Sequence, residues 1–240
     1  MLFDKILGNS DIVNANWKKE INKWLVFIKN KGELKRFIPR LTKMNNSKRD
    51  EALAEISSAY LLENELNFVV IGWEVQTKNN KNVDFVIKGK LDEIFCEVKS
   101  PGWEGELSKK EMMGSRKNQP KYKNLEVRWF GHWKKIGYAI KKAYPKFLSS
   151  CKNLVIINDD LFVGILDFPT DTAIKIGLFN NSIAYGATKG VFINRDYENI
   201  GGVLFININP TSRKKIYKYK FFANPNALKP YNLNDNVASN

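Results

Sequence analysis

Val83–Gly102 reads VDFVIKGKLDEIFCEVKSPG, and the rest of the 240-residue chain is read outward from it. Two β-prone runs, Val83–Ile87 and Ile94–Lys99, flank the polar, Gly-containing connector Lys88–Glu93. That is the pattern of a hairpin with a longer loop. Charges interrupt both runs: Asp84 in the first, Glu97 and Lys99 in the second. Strand side chains alternate, so Phe95, Glu97 and Lys99 share one face, and Ile94, Cys96 and Val98 share the other. Burying two carboxylates and an ammonium in a sheet costs several kcal/mol per ion unless something compensates. A divalent cation between Asp84 and Glu97, with Lys99 beside it, is one compensation. A structural salt-bridge network is the other.

Composition narrows the function classes. An apolar content of 43% and an aromatic content of 12% describe a globular chain of one core-bearing domain with decorations. The net charge of +14, with pI near 9.6, argues for a polyanionic partner, nucleic acid before anionic membrane. No apolar run approaches the roughly 20 residues of a spanning helix. The N-terminal MLFDKILGNSD lacks a signal-peptide layout, so a cytoplasmic or nucleoid-associated chain without membrane insertion is expected. Cys96 and Cys151 are not spaced as a ligand pair, and His132 is the sole histidine. That excludes most zinc sites, Ser-His-Asp hydrolases and histidine-based nucleases. Hydrolytic chemistry here must run on carboxylates, lysine and a hard metal.

Around the hairpin the pattern alternates helix and strand. Trp17–Asn30 places Trp17, Ile21, Trp24, Leu25 and Ile28 on one helical face with lysines opposite. Ser47–Leu66 opens with Ser47 and Asp50 in capping-box spacing and carries the buried stripe Ala52, Ile56, Ala59 and Leu62 or Leu66. Glu51 and Glu55 lie one turn apart on the edge of that stripe. An acid at Glu51 is favoured by the helix dipole alone, whereas Glu55 stands too far along the helix for that explanation. Phe68–Val75 reads as a strand. Residues 103–130 are basic with interleaved aromatics, and Gly114–Lys123 reads as an exposed basic loop. His132–Phe147 is a helix with Trp133, Ile136, Ile140, Ala143 and Phe147 inward and lysines elsewhere. Asn153–Asp159 and Gly201–Asn207 read as buried strands, Thr170–Phe179 contains a helix, and Arg213–Phe222 alternates as an edge strand with lysines that discourage pairing.

Helix with a glutamate, strand, strand with an aspartate, strand ending in Glu-x-Lys, basic helix, buried strand: over roughly residues 47–160 this order resembles the PD-(D/E)xK superfamily, the restriction-endonuclease-like nucleases. The resemblance rests on Asp84, on Glu97–Val98–Lys99 and on the upstream Glu55 in AEISSAYLL. Asn82–Val83 precedes the aspartate where the family name has proline. Glu55 is preferred to Glu51 as the helical acid because Ser58, Ala59 and Leu62 follow it, where the family has small and apolar residues. Glu51 is the alternative.

The resemblance implies an α/β fold with a mixed central β-sheet flanked by helices. Residues 1–46 would be a basic helical extension packed on it, 47–228 the nuclease-like domain and 229–240 a frayed polar tail. It implies Mg²⁺ or Mn²⁺ held by Asp84, Glu97 and the carbonyl of Val98, with Glu55 binding through water or placing a second ion. Lys99 would position the attacking water and stabilise transition-state charge. The expected activity is DNA phosphodiester hydrolysis by an endonuclease, with double-stranded DNA as partner and a homodimer as one arrangement for cutting both strands. Arg116, Lys117, Lys134, Lys135, Lys141 and Lys142 are the candidates for the DNA surface. The alternative is a non-catalytic nucleic-acid-binding protein on the same fold, with the acidic cluster structural.

Overall fold

The computed structural model describes residues 1–8, 15–42, 46–77, 80–100, 132–158, 174–181, 189–210, 212 and 216–233, with the backbone alone at 46–47 and 132–135. Six strands form one sheet: β1 (Val69–Gln76), β2 (Asn82–Lys88), β3 (Glu93–Lys99), β4 (Lys152–Asn158), β5 (Gly202–Ile208) and β6 (Tyr217–Ala223). They lie side by side in chain order. β3–β4 and β4–β5 are parallel, and the remaining pairs are antiparallel. The five strands expected to share a mixed sheet do so, and the lysine-bearing β6 closes one edge.

β4 shows why its sequence is almost continuously apolar. Leu154 and Ile156 enter the core on one face of the sheet, while Val155 and Ile157 enter the core on the other. The first face carries α1 (Leu2–Leu7), α2 (Ala15–Asn30), α3 (Leu34–Leu41) and α4 (Asn46–Asn64). The second carries α5 (His132–Ala143) and a helix over 174–179, α6. Among the described residues no helix is long and apolar enough to cross a membrane.

The single stripe expected on α4 is too narrow. Residues 52–59 are all buried, because α4 is sandwiched between the sheet and helices α2 and α3. Ala52, Ala54, Ser57, Ser58 and Ala59 permit that close approach. Asn158 at the end of β4 ties the helix down, its amide donating to the Ala54 carbonyl and to the hydroxyls of Ser57 and Ser58 at 3.0–3.1 Å. On α2, Ile21, Trp24, Leu25 and Ile28 are buried as the periodicity requires. Glu20 is buried beside them, hydrogen-bonded by the Tyr217 hydroxyl, which also accepts from the Trp24 indole at 2.8 Å.

Two boundaries differ from the sequence reading. The helix at His132 stops at Ala143, because Pro145 cannot continue it, and Tyr144–Lys146 forms a 3₁₀ turn. The hydroxyl of Thr77, just past β1, donates to the Lys146 carbonyl at 2.5 Å and fixes that turn. Tyr231 and Leu233, assigned to a frayed tail, are buried. The Tyr231 ring lies against Phe221, centroids 5.7 Å apart, and its hydroxyl donates to the Asn153 carbonyl. Gly201 makes room for it, since a Cβ there would stand 2.2 Å from Tyr231 Cε1. For the helix read over Thr170–Phe179, residues 170–173 lie outside the described residues.

Candidate active site

The hairpin opens at its acids. The β2–β3 ladder runs from the Lys88/Glu93 pair to the Phe85/Cys96 pair and goes no further. Beyond it, Asp84 is still held by β1 through its neighbours, Val83 opposite Val75 and Phe85 opposite Trp73. Its carboxylate Oδ2 accepts the Val98 backbone N–H at 2.7 Å, so a side chain satisfies a strand donor where the ladder has parted. The alternation along β3 is kept: Ile94, Cys96 and Val98 join the core under α4, and Phe95 packs on the α5 side. Glu97 and Lys99 therefore share the α5 side of the sheet.

Glu97 is wholly buried, 0% exposed. Its Oε1 is met by two ammonium groups, Lys99 Nζ at 2.5 Å and Lys146 Nζ at 2.6 Å. Its Oε2 is buried and has no hydrogen-bond partner among the described residues. Lys146 also lies 3.9 Å from Asp84 Oδ1, so one ammonium stands between the two carboxylates. The helical acid facing this cluster is Glu55, 9% exposed on α4, while Glu51 one turn earlier is exposed. Arg40 of α3 grips Glu55 with both terminal nitrogens, Nη1 to Oε2 at 2.7 Å and Nη2 to Oε1.

The electrostatics follow from crowding acids in a dry place. Burial first, then the negative charges of Glu97 and Glu55, push the Asp84 carboxyl from its ordinary 3.8 up to about 8. Lys146 and the Val98 N–H only partly oppose this. Burial also raises Glu55, against the pull of Arg40 and with a push from Glu97. For Lys146, burial acts to lower the pKa, but Glu97 and Asp84 outweigh it and the ammonium is held more firmly than usual.

The donors present are oxygen ligands, the set that suits Mg²⁺ or Mn²⁺. The buried Glu97 carboxylate, with Oε2 unpartnered among the described residues, has oxygen capacity left for a cation. Among the described residues, however, no three acidic, histidine or cysteine side chains stand ready to enclose a metal. Glu55 is turned to Arg40 at both oxygens, so a water-bridged or second-metal role does not follow from its placement. Asp84 and Glu97, with the Val98 carbonyl adjacent, are the pair that fits.

Lys146 and Arg40 were missed as members of this cluster. The lysine run of α5 reads as a solvated face, and only Pro145 signals that Lys146 leaves the helical register. Nothing in the sequence around Arg40 points to Glu55. Of the expected nucleic-acid contacts, Lys141 and Lys142 are exposed on α5, with Lys142 Nζ 4.5 Å from the centre of the Tyr138 ring. Arg116 and Lys117 lie outside the described residues, as do the side chains of Lys134 and Lys135. Cys96 is buried and Cys151 half-buried, both as free thiols.

No family model and no curated protein matches this chain. A solved structure, that of Pyrococcus furiosus SfsA in complex with Ca²⁺, is similar at 17% identity over 70% of this chain, with a TM-score of 0.26. The matched region spans 60% of the length of that chain.

Proposed function

We propose that this chain is a divalent-metal-dependent nuclease of restriction-endonuclease-like fold, hydrolysing phosphodiester bonds of double-stranded DNA. The observation that carries the reading is the placement of Asp84 beside the fully buried Glu97 where β2 and β3 part, with one Glu97 oxygen left without a partner among the described residues. A buried carboxylate oxygen without a partner is costly, and a bound cation is one way to satisfy it. The antiparallel Asp84 strand beside the Glu97-x-Lys99 strand, with Glu55 on the covering helix, supports the superfamily assignment. The net charge of +14 supports a polyanionic substrate.

Asp84, Glu97 and the Val98 carbonyl would hold the ion. When bound, Mg²⁺ or Mn²⁺ supplies Lewis-acid stabilisation of phosphate charge and a more acidic water. Lys99, with 23% of its side chain exposed beside Glu97, borders the same acids and can orient the water and offer N–H to the developing charge. Arg40 fixes the Glu55 carboxylate and keeps a positive charge beside Asp84.

The test is cleavage of supercoiled plasmid in Mg²⁺ against EDTA, for the wild type and for Asp84→Asn and Glu97→Gln. Nicking that needs Mg²⁺ and disappears in both variants supports the nuclease. A wild type that retards DNA but leaves plasmid intact supports the second reading, a non-catalytic DNA-binding protein. One observation favours that second reading: Lys99, Lys146 and Arg40 already neutralise the acids without any metal.

A further inference from the structure

We propose that the Lys146 ammonium occupies the place of the divalent cation between Asp84 and Glu97, and that metal loading displaces it. The inference rests on reading Asp84 and Glu97 as the metal pair, and deepens that reading by naming the group that regulates access to it. Nζ lies 2.6 Å from Glu97 Oε1 and 3.9 Å from Asp84 Oδ1. A cation held by the same two carboxylates would have to share with Nζ the space between them. Lys99 is placed differently, beside Glu97 on the same strand face.

Charge makes joint occupancy unfavourable. With Asp84 ionised, as metal binding requires, Asp84, Glu97 and Glu55 are faced by Lys99, Lys146 and Arg40, acids and bases in equal number. A dication added to that balanced and largely buried cluster would leave it strongly positive, whereas departure of one ammonium relieves the excess. Lys146 is the member free to leave. Its backbone is pinned by the Thr77 hydroxyl on a 3₁₀ turn, but its side chain is 28% exposed, so the ammonium can swing toward solvent while the turn stays fixed. Arg40 is gripped at two nitrogens by Glu55 and has no equivalent exit.

The experiment titrates Mn²⁺ into the full chain and follows binding by calorimetry, beside thermal melts with and without Mn²⁺. The proteins are wild type, Lys146→Met, Lys146→Arg and Asp84→Asn. Removing the competitor should tighten Mn²⁺ binding by about tenfold, the gain expected when a state populated about a tenth of the time no longer has to be selected. Lys146→Met should melt lower than wild type in EDTA and recover in Mn²⁺, and Lys146→Arg should bind Mn²⁺ no more tightly than wild type. Binding by Lys146→Met equal to or weaker than wild type overturns the inference, as does a variant unfolded in EDTA that Mn²⁺ does not restore. If no protein binds Mn²⁺, or Asp84→Asn binds it as well as wild type, the metal pair itself is wrong and both proposals fall.

Discussion

Asp84→Asn removes one charge while keeping an acceptor for the Val98 N–H, and its effect on stability has a sign that the site dictates. In the metal-free protein the Asp84 carboxyl titrates at about 8, against an ordinary 3.8, because burial and the Glu97 and Glu55 charges disfavour its anion. The folded state therefore holds this proton more tightly than the unfolded chain. Stability from this group is complete below pH 3.8 and is lost progressively as pH rises toward about 8. Each pH unit in that window is worth at most about 1.4 kcal/mol. Between about pH 5 and about pH 8 the limit is near 4 kcal/mol, and the 17% of the Asp84 side chain that stays exposed lowers it to roughly 1–3 kcal/mol.

The asparagine variant has no proton to lose. In EDTA, wild type should weaken relative to Asp84→Asn across that window, so that the variant is the more stable protein at about pH 8. With saturating Mn²⁺ the order should reverse, because a cation stabilises only the carboxylate. Urea melts of both proteins at several pH values, with EDTA or Mn²⁺, measure this directly. Parallel pH profiles in EDTA, or a variant less stable by more than about 2 kcal/mol at pH 8, would refute the placement of Asp84 in a dry, acid-crowded site.

Lys99→Ala should abolish plasmid cleavage while DNA binding falls only slightly, since a transition-state contact is worth roughly 3–4 kcal/mol of barrier and the chain carries many other cations; nicking rates beside gel-shift affinities check it. Arg40→Ala should destabilise the fold by roughly 3–5 kcal/mol by leaving buried Glu55 without its cation, and Arg40→Ala with Glu55→Ala together should recover part of that loss, as denaturant melts would show. Affinity for duplex DNA should fall steeply with salt, and Lys141→Ala with Lys142→Ala should reduce the log–log slope by roughly 0.9 for each phosphate they no longer neutralise; filter-binding isotherms across a salt series read the slope.

The sheet was legible in the sequence because each strand carries its own signature: β2 and β3 through hairpin alternation, β4 through an apolar run covered on both faces, β6 through lysines on an edge. The facing of Glu97 and Lys99 was legible for the same reason, since a period of two fixes which side chains share a side. Asp84 was visible as a charge in a strand, but its bond to Val98 was not, because it depends on where the β2–β3 ladder stops. The two cations that complete the cluster were invisible for a different reason. Arg40 and Lys146 reach the acids by tertiary approach across opposite faces of the sheet, and no periodicity within α3 or the α5 run encodes that meeting. The sequence therefore shows acids that need compensation without showing what compensates them. Among the described residues, lysine and arginine supply most of that need and leave Glu97 Oε2 over. The Lys146 ammonium and a divalent cation would compete for the same two carboxylates, Asp84 and Glu97, which is why metal affinity, measured with and without Lys146, decides between the two readings of the same three acids.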